Sequence, residues 1–182
     1  MRLRWMPIVA ALAGGCRSSD AEPIRLAVGT APKDRVELTP SHALVEYTEL
    51  PNTKNELRIQ LADYEIDCSA FVPPDEGKTL LTITLVTPPN DKPGPGEYPW
   101  TGALAMGRVA SRGAIPAARL GARAAVLPPG GSVRLRRVDL SAHGSVEGVL
   151  DLEFAGDGKR EATSVRGAFA AKMCRFNPSE TP

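Results

Sequence analysis

Two histidines, His42 and His143, are the only side chains in this 182-residue chain whose ordinary pKa suits general-base work near neutral pH. Ser41 stands directly before the first and Ser145 two residues after the second. Nucleophilic hydrolysis needs a Ser or Cys activated by such a base, but the chain has no Gly-x-Ser-x-Gly. His143 lies between Ala142 and Gly144 in a stretch that reads as a tight turn, and His42 follows Pro40-Ser41 at a strand entrance. Both read as solvated, and no catalytic residue is assigned. Zinc hydrolysis needs two ligating His on one helix with a Glu between them, a context neither His has. Gly94-Pro95-Gly96 cannot cradle a phosphate as a glycine loop does, because its Pro removes a donor N–H. Paired carboxylates leave no spacing signature, since two strands can supply them from anywhere. Neither a metal nor a cofactor is called for.

Charge is more informative than nucleophiles. From Tyr98 to Val138 there is no Asp, Glu or Lys, while Arg108, Arg112, Arg119, Arg123, Arg134, Arg136 and Arg137 all fall there. Residues 37 to 78 hold the opposite block: Glu37, Glu46, Glu49, Glu56, Asp63, Glu65, Asp67, Asp75 and Glu76 against Lys54, Arg58 and Lys78. One reading has the blocks on adjacent strands, complementing each other across solvent-facing rows. The other makes Arg119, Arg123, Arg134, Arg136 and Arg137 a face for an anionic partner, since Arg in place of Lys suits bidentate contact with phosphate or carboxylate. A formal net charge of +1 and 5% aromatic residues argue against nucleic acid.

The N-terminus supplies an address. Arg2 and Arg4 precede an apolar run from Trp5 to Ala13, interrupted only by Pro7, and small residues lead to Cys16. A basic head, a short apolar stretch and a small-residue exit describe a secretory signal, and the run is too short for the roughly 20 residues a membrane-spanning helix needs. Ala13-Gly14-Gly15-Cys16 resembles the bacterial lipoprotein signal, with Ala13 where Leu is commonest and Leu12 one residue earlier. The resemblance implies that residues 1–15 are removed and that Cys16 carries acyl chains. It places the protein in the bacterial cell envelope, at the outer membrane before the inner, and concerns targeting alone. An ordinary cleaved signal with an incidental Cys is the alternative. Removing Arg2 and Arg4 leaves a nearly neutral mature chain, and residues 16–23 read as lipidated Cys and polar tether.

With Cys16 assigned to lipid, Cys68 and Cys174 remain. In an oxidising compartment a residual pair reads as one disulfide, with two separate buried thiols as the alternative.

The elements that position these groups are strands. The chain holds 17 Gly and 17 Pro, which leaves little room for long helices. Leu57, Ile59 and Leu61 alternate with Arg58 and Gln60, and Tyr64, Ile66 and Cys68 continue the two-residue period. Thr79 to Thr87 is a β-branched and Leu-rich run bounded by prolines. Residues 88–99 are too Pro-rich for a ladder and read as a surface loop in preference to a domain boundary. Ser132 to Leu140 changes register between Leu135 and Val138, which predicts a bulge near Arg136-Arg137. Val146 to Phe154, a Gly156-Asp157-Gly158-Lys159 turn and Thr163 to Cys174 complete a three-strand meander. Residues 116–127 fit a strand, with one short helix as the alternative. Pro95-Gly96-Glu97-Tyr98, Gly131-Ser132-Val133, Gly144-Ser145-Val146-Glu147-Gly148 and Gly167-Ala168-Phe169 with Cys174 are similar to a loose group of bacterial envelope lipoproteins with β-sandwich bodies, a likeness of turn and packing signals only.

The resulting expectation is an all-β fold. A single antiparallel β-sandwich-like domain over 24–176, with a C-terminal meander, is followed by a polar tail over 177–182. It is expected to act as a structural or binding module, held to a membrane through Cys16 and meeting an envelope protein or anionic envelope component. An envelope hydrolase, and a module that pairs through an exposed sheet edge, are the rival classes.

Overall fold

A computed structural model describes residues 24–28, 35–68, 74–75, 77–100, 110–120, 123–125, 129–154 and 163–177. They form eleven strands: β1 (Ile24–Val28), β2 (Arg35–Leu38), β3 (His42–Leu50), β4 (Lys54–Ala62), β5 (Thr79–Thr87), β6 (Gly96–Pro99), β7 (Gly113–Leu120), β8 (Arg123–Ala125), β9 (Pro129–Val138), β10 (Ser145–Phe154) and β11 (Thr163–Asn177). The described residues contain no helix. The signal, Cys16, the tether, the 156–159 turn and Arg108 lie outside them.

Alternation decides which face is inside. Leu57, Ile59 and Leu61 are fully buried while Arg58 between them is exposed. Val146, Leu150 and Leu152 from β10, and Val165, Phe169 and Met173 from β11, enter the same core. Burying one such side chain contributes about 1.5–3 kcal/mol.

Strands β3, β4, β5, β7 and β8 pair antiparallel in that order, as do β9, β10 and β11. The expected sandwich would leave these two meanders as separate layers. Instead they join into one mixed sheet. β11 is long enough to pair with β10 through Lys172 and to run beside β3 in parallel from Lys172 to Asn177. On the other side β6 pairs with β9, and Trp100, just past its end, bridges to Ala114 of β7. Eight strands thus come close to closing a barrel filled by apolar side chains, and β1 lies on the edge of β11 with β2 beyond it. Alternation specifies an apolar face that must be covered. It carries no signal for which strand edges meet, as Lys172 and Leu44 do here.

Three local readings also change. β4 stops at Ala62, where the Asp63 carboxylate accepts the Thr79 backbone N–H at 2.9 Å and the chain turns out of the sheet. Tyr64 and Ile66 therefore keep a two-residue period without being a strand. They pack with Leu44, Ala62 and Leu80 in a second apolar cluster. The Pro-rich segment contains a strand after all, because Pro99 falls at the end of β6 and leaves Glu97 and Tyr98 free to pair with β9. Residues 116–120 belong to β7, and 123–125 fold back on it as β8, so the strand reading holds there as a hairpin.

Candidate functional site

The outer side of β9 carries Arg134, Arg136 and Arg137. Val133 and Leu135 point into the core, which sends Arg134 outward. Arg137 then lies opposite Glu147, while Leu135 lies opposite Gly148, so Arg136 is an extra, unpaired residue. This is the bulge the sequence predicts, and it has a chemical consequence. In a regular strand Arg137 would face inward. The bulge turns both Arg136 and Arg137 to solvent and returns Val138 to the core. Gly148 helps, because a Cβ there would stand 2.8 Å from the Arg134 carbonyl and the Phe169 ring.

The row is held loosely. Arg134 Nη2 is 3.8 Å from Glu97 on β6, and Arg137 Nη1 is 3.7 Å from Glu147 on β10. A charge-assisted hydrogen bond is about 2.7–2.9 Å, so neither contact is one. The two arginine side chains are 68% and 66% exposed. Arg136 has no acidic partner among the described residues. Arg119 and Arg123 lie apart from this row: Arg119 sits in β7 opposite Leu80 and Ala124, and Arg123 in β8 opposite Leu120.

Arg112 is built differently. Its Nε and Nη2 each donate to the Asp91 carboxylate at 2.7 Å, and Nη1 donates to the Pro95 carbonyl at 3.3 Å. Its guanidinium lies 5.5 Å from the centre of the Tyr98 ring, and the Tyr98 hydroxyl donates to the Gly94 carbonyl and accepts the Gly94 N–H. The bond from Arg112 holds the Asp91 carboxyl below its usual range, and burial raises the Tyr98 phenol. Asn55 secures the same loop from inside, its amide donating to the Pro88 carbonyl at 3.0 Å and the Asp91 carbonyl at 3.2 Å. These contacts pin residues 88–95 to the barrel and set β6 beside β9.

The strands that carry part of each opposite-sign block, β4 and β7, are not neighbours. Largely uncharged β5 separates β4 from β7. Glu46 and Glu56 pair with Arg58 and Lys54, and Glu49 with Lys92 from the 88–95 loop. Arg134 and Arg137 instead lie nearest Glu97, directly before the acid-free stretch, and Glu147, on the strand that follows it. Those two acids are the part of the site that sequence reasoning missed: Glu97 adjoins the stretch directly, but Glu147 comes nine residues after its end and carries no such signal.

Cys68 and Cys174 form a disulfide, with Cα atoms 5.5 Å apart. Cys174 is itself a bulge residue, since Met173 pairs with Val45 and Arg175 with Glu46. The slip turns Arg175 outward, where Nη2 donates to the Cys68 carbonyl at 2.7 Å. The bond fastens the segment after β4 to the end of β11.

Ser41 Oγ and His42 Nδ1 are 3.0 Å apart, but Ser41 is exposed and also directs its hydroxyl at the Ala62 carbonyl at 3.5 Å. His143 is exposed in the turn before β10. Among the described residues no cluster of three His, Cys, Asp or Glu side chains could hold a metal ion. Comparison with protein-family models, curated proteins and solved structures finds no match to the chain.

Proposed function

We propose that this chain is a bacterial cell-envelope lipoprotein, acylated at Cys16 and carrying a β-barrel body on a short tether, and that the body is a binding module. Its site is the β9 row, which takes an anionic component of the envelope. The looseness of that row carries the reading: two guanidinium groups stand 3.7–3.8 Å from their nearest carboxylates, so their donors remain available for a ligand. The Ala13-Gly14-Gly15-Cys16 exit supports the anchor. Among the described residues the Ser41–His42 contact favours a hydrolase, but it stands on an open surface.

Two measurements test the proposal. Intact-mass analysis of membrane-extracted protein should show a mature chain beginning at acylated Cys16, and a soluble chain without added lipid would sink the anchor. Retention of the detergent-extracted protein on the anionic fraction of its envelope should fall with salt and with Arg134→Ser, Arg136→Ser and Arg137→Ser together. Unchanged retention would remove the site.

A further inference from the structure

Resting on that reading, we infer that the β9 row binds an extended, carboxylate-bearing polysaccharide rather than a compact anion or a membrane plane. The bulge is the first observation. It places three arginines outward within four residues, where a regular strand would place two. From Arg134 to Arg137 the row runs about 10 Å along one strand. Its donors are exposed and spread along a line. A compact anion calls for donors that converge on one point, whereas a chain with a carboxylate on each sugar offers acceptors at intervals along such a line, each suited to bidentate contact with a guanidinium.

The flanking acids are the second observation. Glu97 on β6 and Glu147 on β10 lie on the two strands beside β9, 55% and 45% exposed. Neighbouring strands are about 4.8 Å apart, so a plane of anionic headgroups laid on this face would meet all three strands and press against both carboxylates. A single glycan chain follows the middle strand and lies between the acids. They confine the site to a rail one strand wide.

The test uses the full chain with Cys16→Ser, so that no acyl group contributes, and measures binding at low salt to polygalacturonate, to galacturonate monomer and to phosphatidylglycerol vesicles. Saturable, salt-sensitive binding to the polymer is expected, falling about tenfold or more when Arg134, Arg136 and Arg137 are all replaced by Ser while the melting temperature stays near that of the parent. The monomer should show no comparable binding. Vesicles of phosphatidylglycerol should bind no better than those of phosphatidylcholine, and Glu97→Gln with Glu147→Gln should raise vesicle binding by removing the repulsion. Arginine-dependent binding to phosphatidylglycerol by the unsubstituted rail, without polymer binding, would overturn the glycan and leave an anion-binding face standing. Monomer bound as tightly as polymer would overturn the extended ligand. If no anionic probe binds in an arginine-dependent way, the wider proposal fails with it.

Discussion

Arg112 and the β9 row belong to one acid-free stretch of sequence, yet the fold puts them to opposite uses. Arg112 is 32% exposed, with two short bonds to Asp91 and a third donor on the Pro95 carbonyl. Arg134 and Arg137 are about twice as exposed and touch their acids only at 3.7–3.8 Å. The difference lies in what their neighbours are anchored to. Asp91 sits in a loop fixed by Asn55 and Tyr98, so its carboxylate is held in place for Arg112. Glu97 and Glu147 are exposed side chains on open strand surfaces, where an ion pair contributes about 0–1 kcal/mol. A cation with satisfied donors is part of the frame. One with donors to spare is available to a partner.

The disulfide sets the upper end of the stability scale. Cys68 and Cys174 are 106 positions apart, and the chain-entropy model gives about 4.7 kcal/mol for a loop of roughly 100 residues. Replacing both by Ala should therefore lower the melting temperature by roughly 10 °C or more, with no direct effect on the β9 row. A change under about 2 °C would show that the bond contributes little to the frame.

Arg112→Ala comes next. It removes the bidentate pair and the contact with Tyr98, and should cost about 1–2 kcal/mol, seen as a melting temperature lower by roughly 3–6 °C. Anion binding should stay within about twofold of the parent. A larger loss of binding than of stability would break the contrast with β9.

The Asp91 pair also has a pH signature. Because its carboxyl titrates below the unfolded value of about 3.9, the stabilisation is fully present above that value and is lost as pH falls through the lower, folded one. The gap in melting temperature between parent and Arg112→Ala should thus be constant near neutral pH and close below about pH 4. A gap that persists undiminished to strongly acid pH would assign the effect to packing on Tyr98.

The smallest stability effect is expected on β9 itself. Arg134→Ser, Arg136→Ser and Arg137→Ser should each shift stability by less than about 0.5 kcal/mol in urea unfolding. A cost near that of Arg112→Ala would make the row structural.

Period-two alternation made the strands over 56–62, 79–87 and 146–154 legible, and the shift between Leu135 and Val138 revealed the bulge, because both are local properties of the chain. Cysteine arithmetic found Cys68 and Cys174. Closure of the sheet was not legible, since it depends on β11 reaching β3 across most of the chain and on a bridge between Trp100 and Ala114 that no residue pattern marks. β6 was hidden because Pro88, Pro89, Pro93 and Pro95 precede it and Pro99 ends it. The Arg stretch was visible as composition, but its division into clamp and row depends on Asp91, Glu97 and Glu147, whose distances only the fold sets.

The most direct test of this division compares the salt-dependent binding of the parent chain, Arg112→Ala and the triple Arg134→Ser, Arg136→Ser, Arg137→Ser variant to the anionic envelope fraction. The triple variant should lose binding while Arg112→Ala retains it. Equal binding by all three, or loss in Arg112→Ala alone, would contradict it.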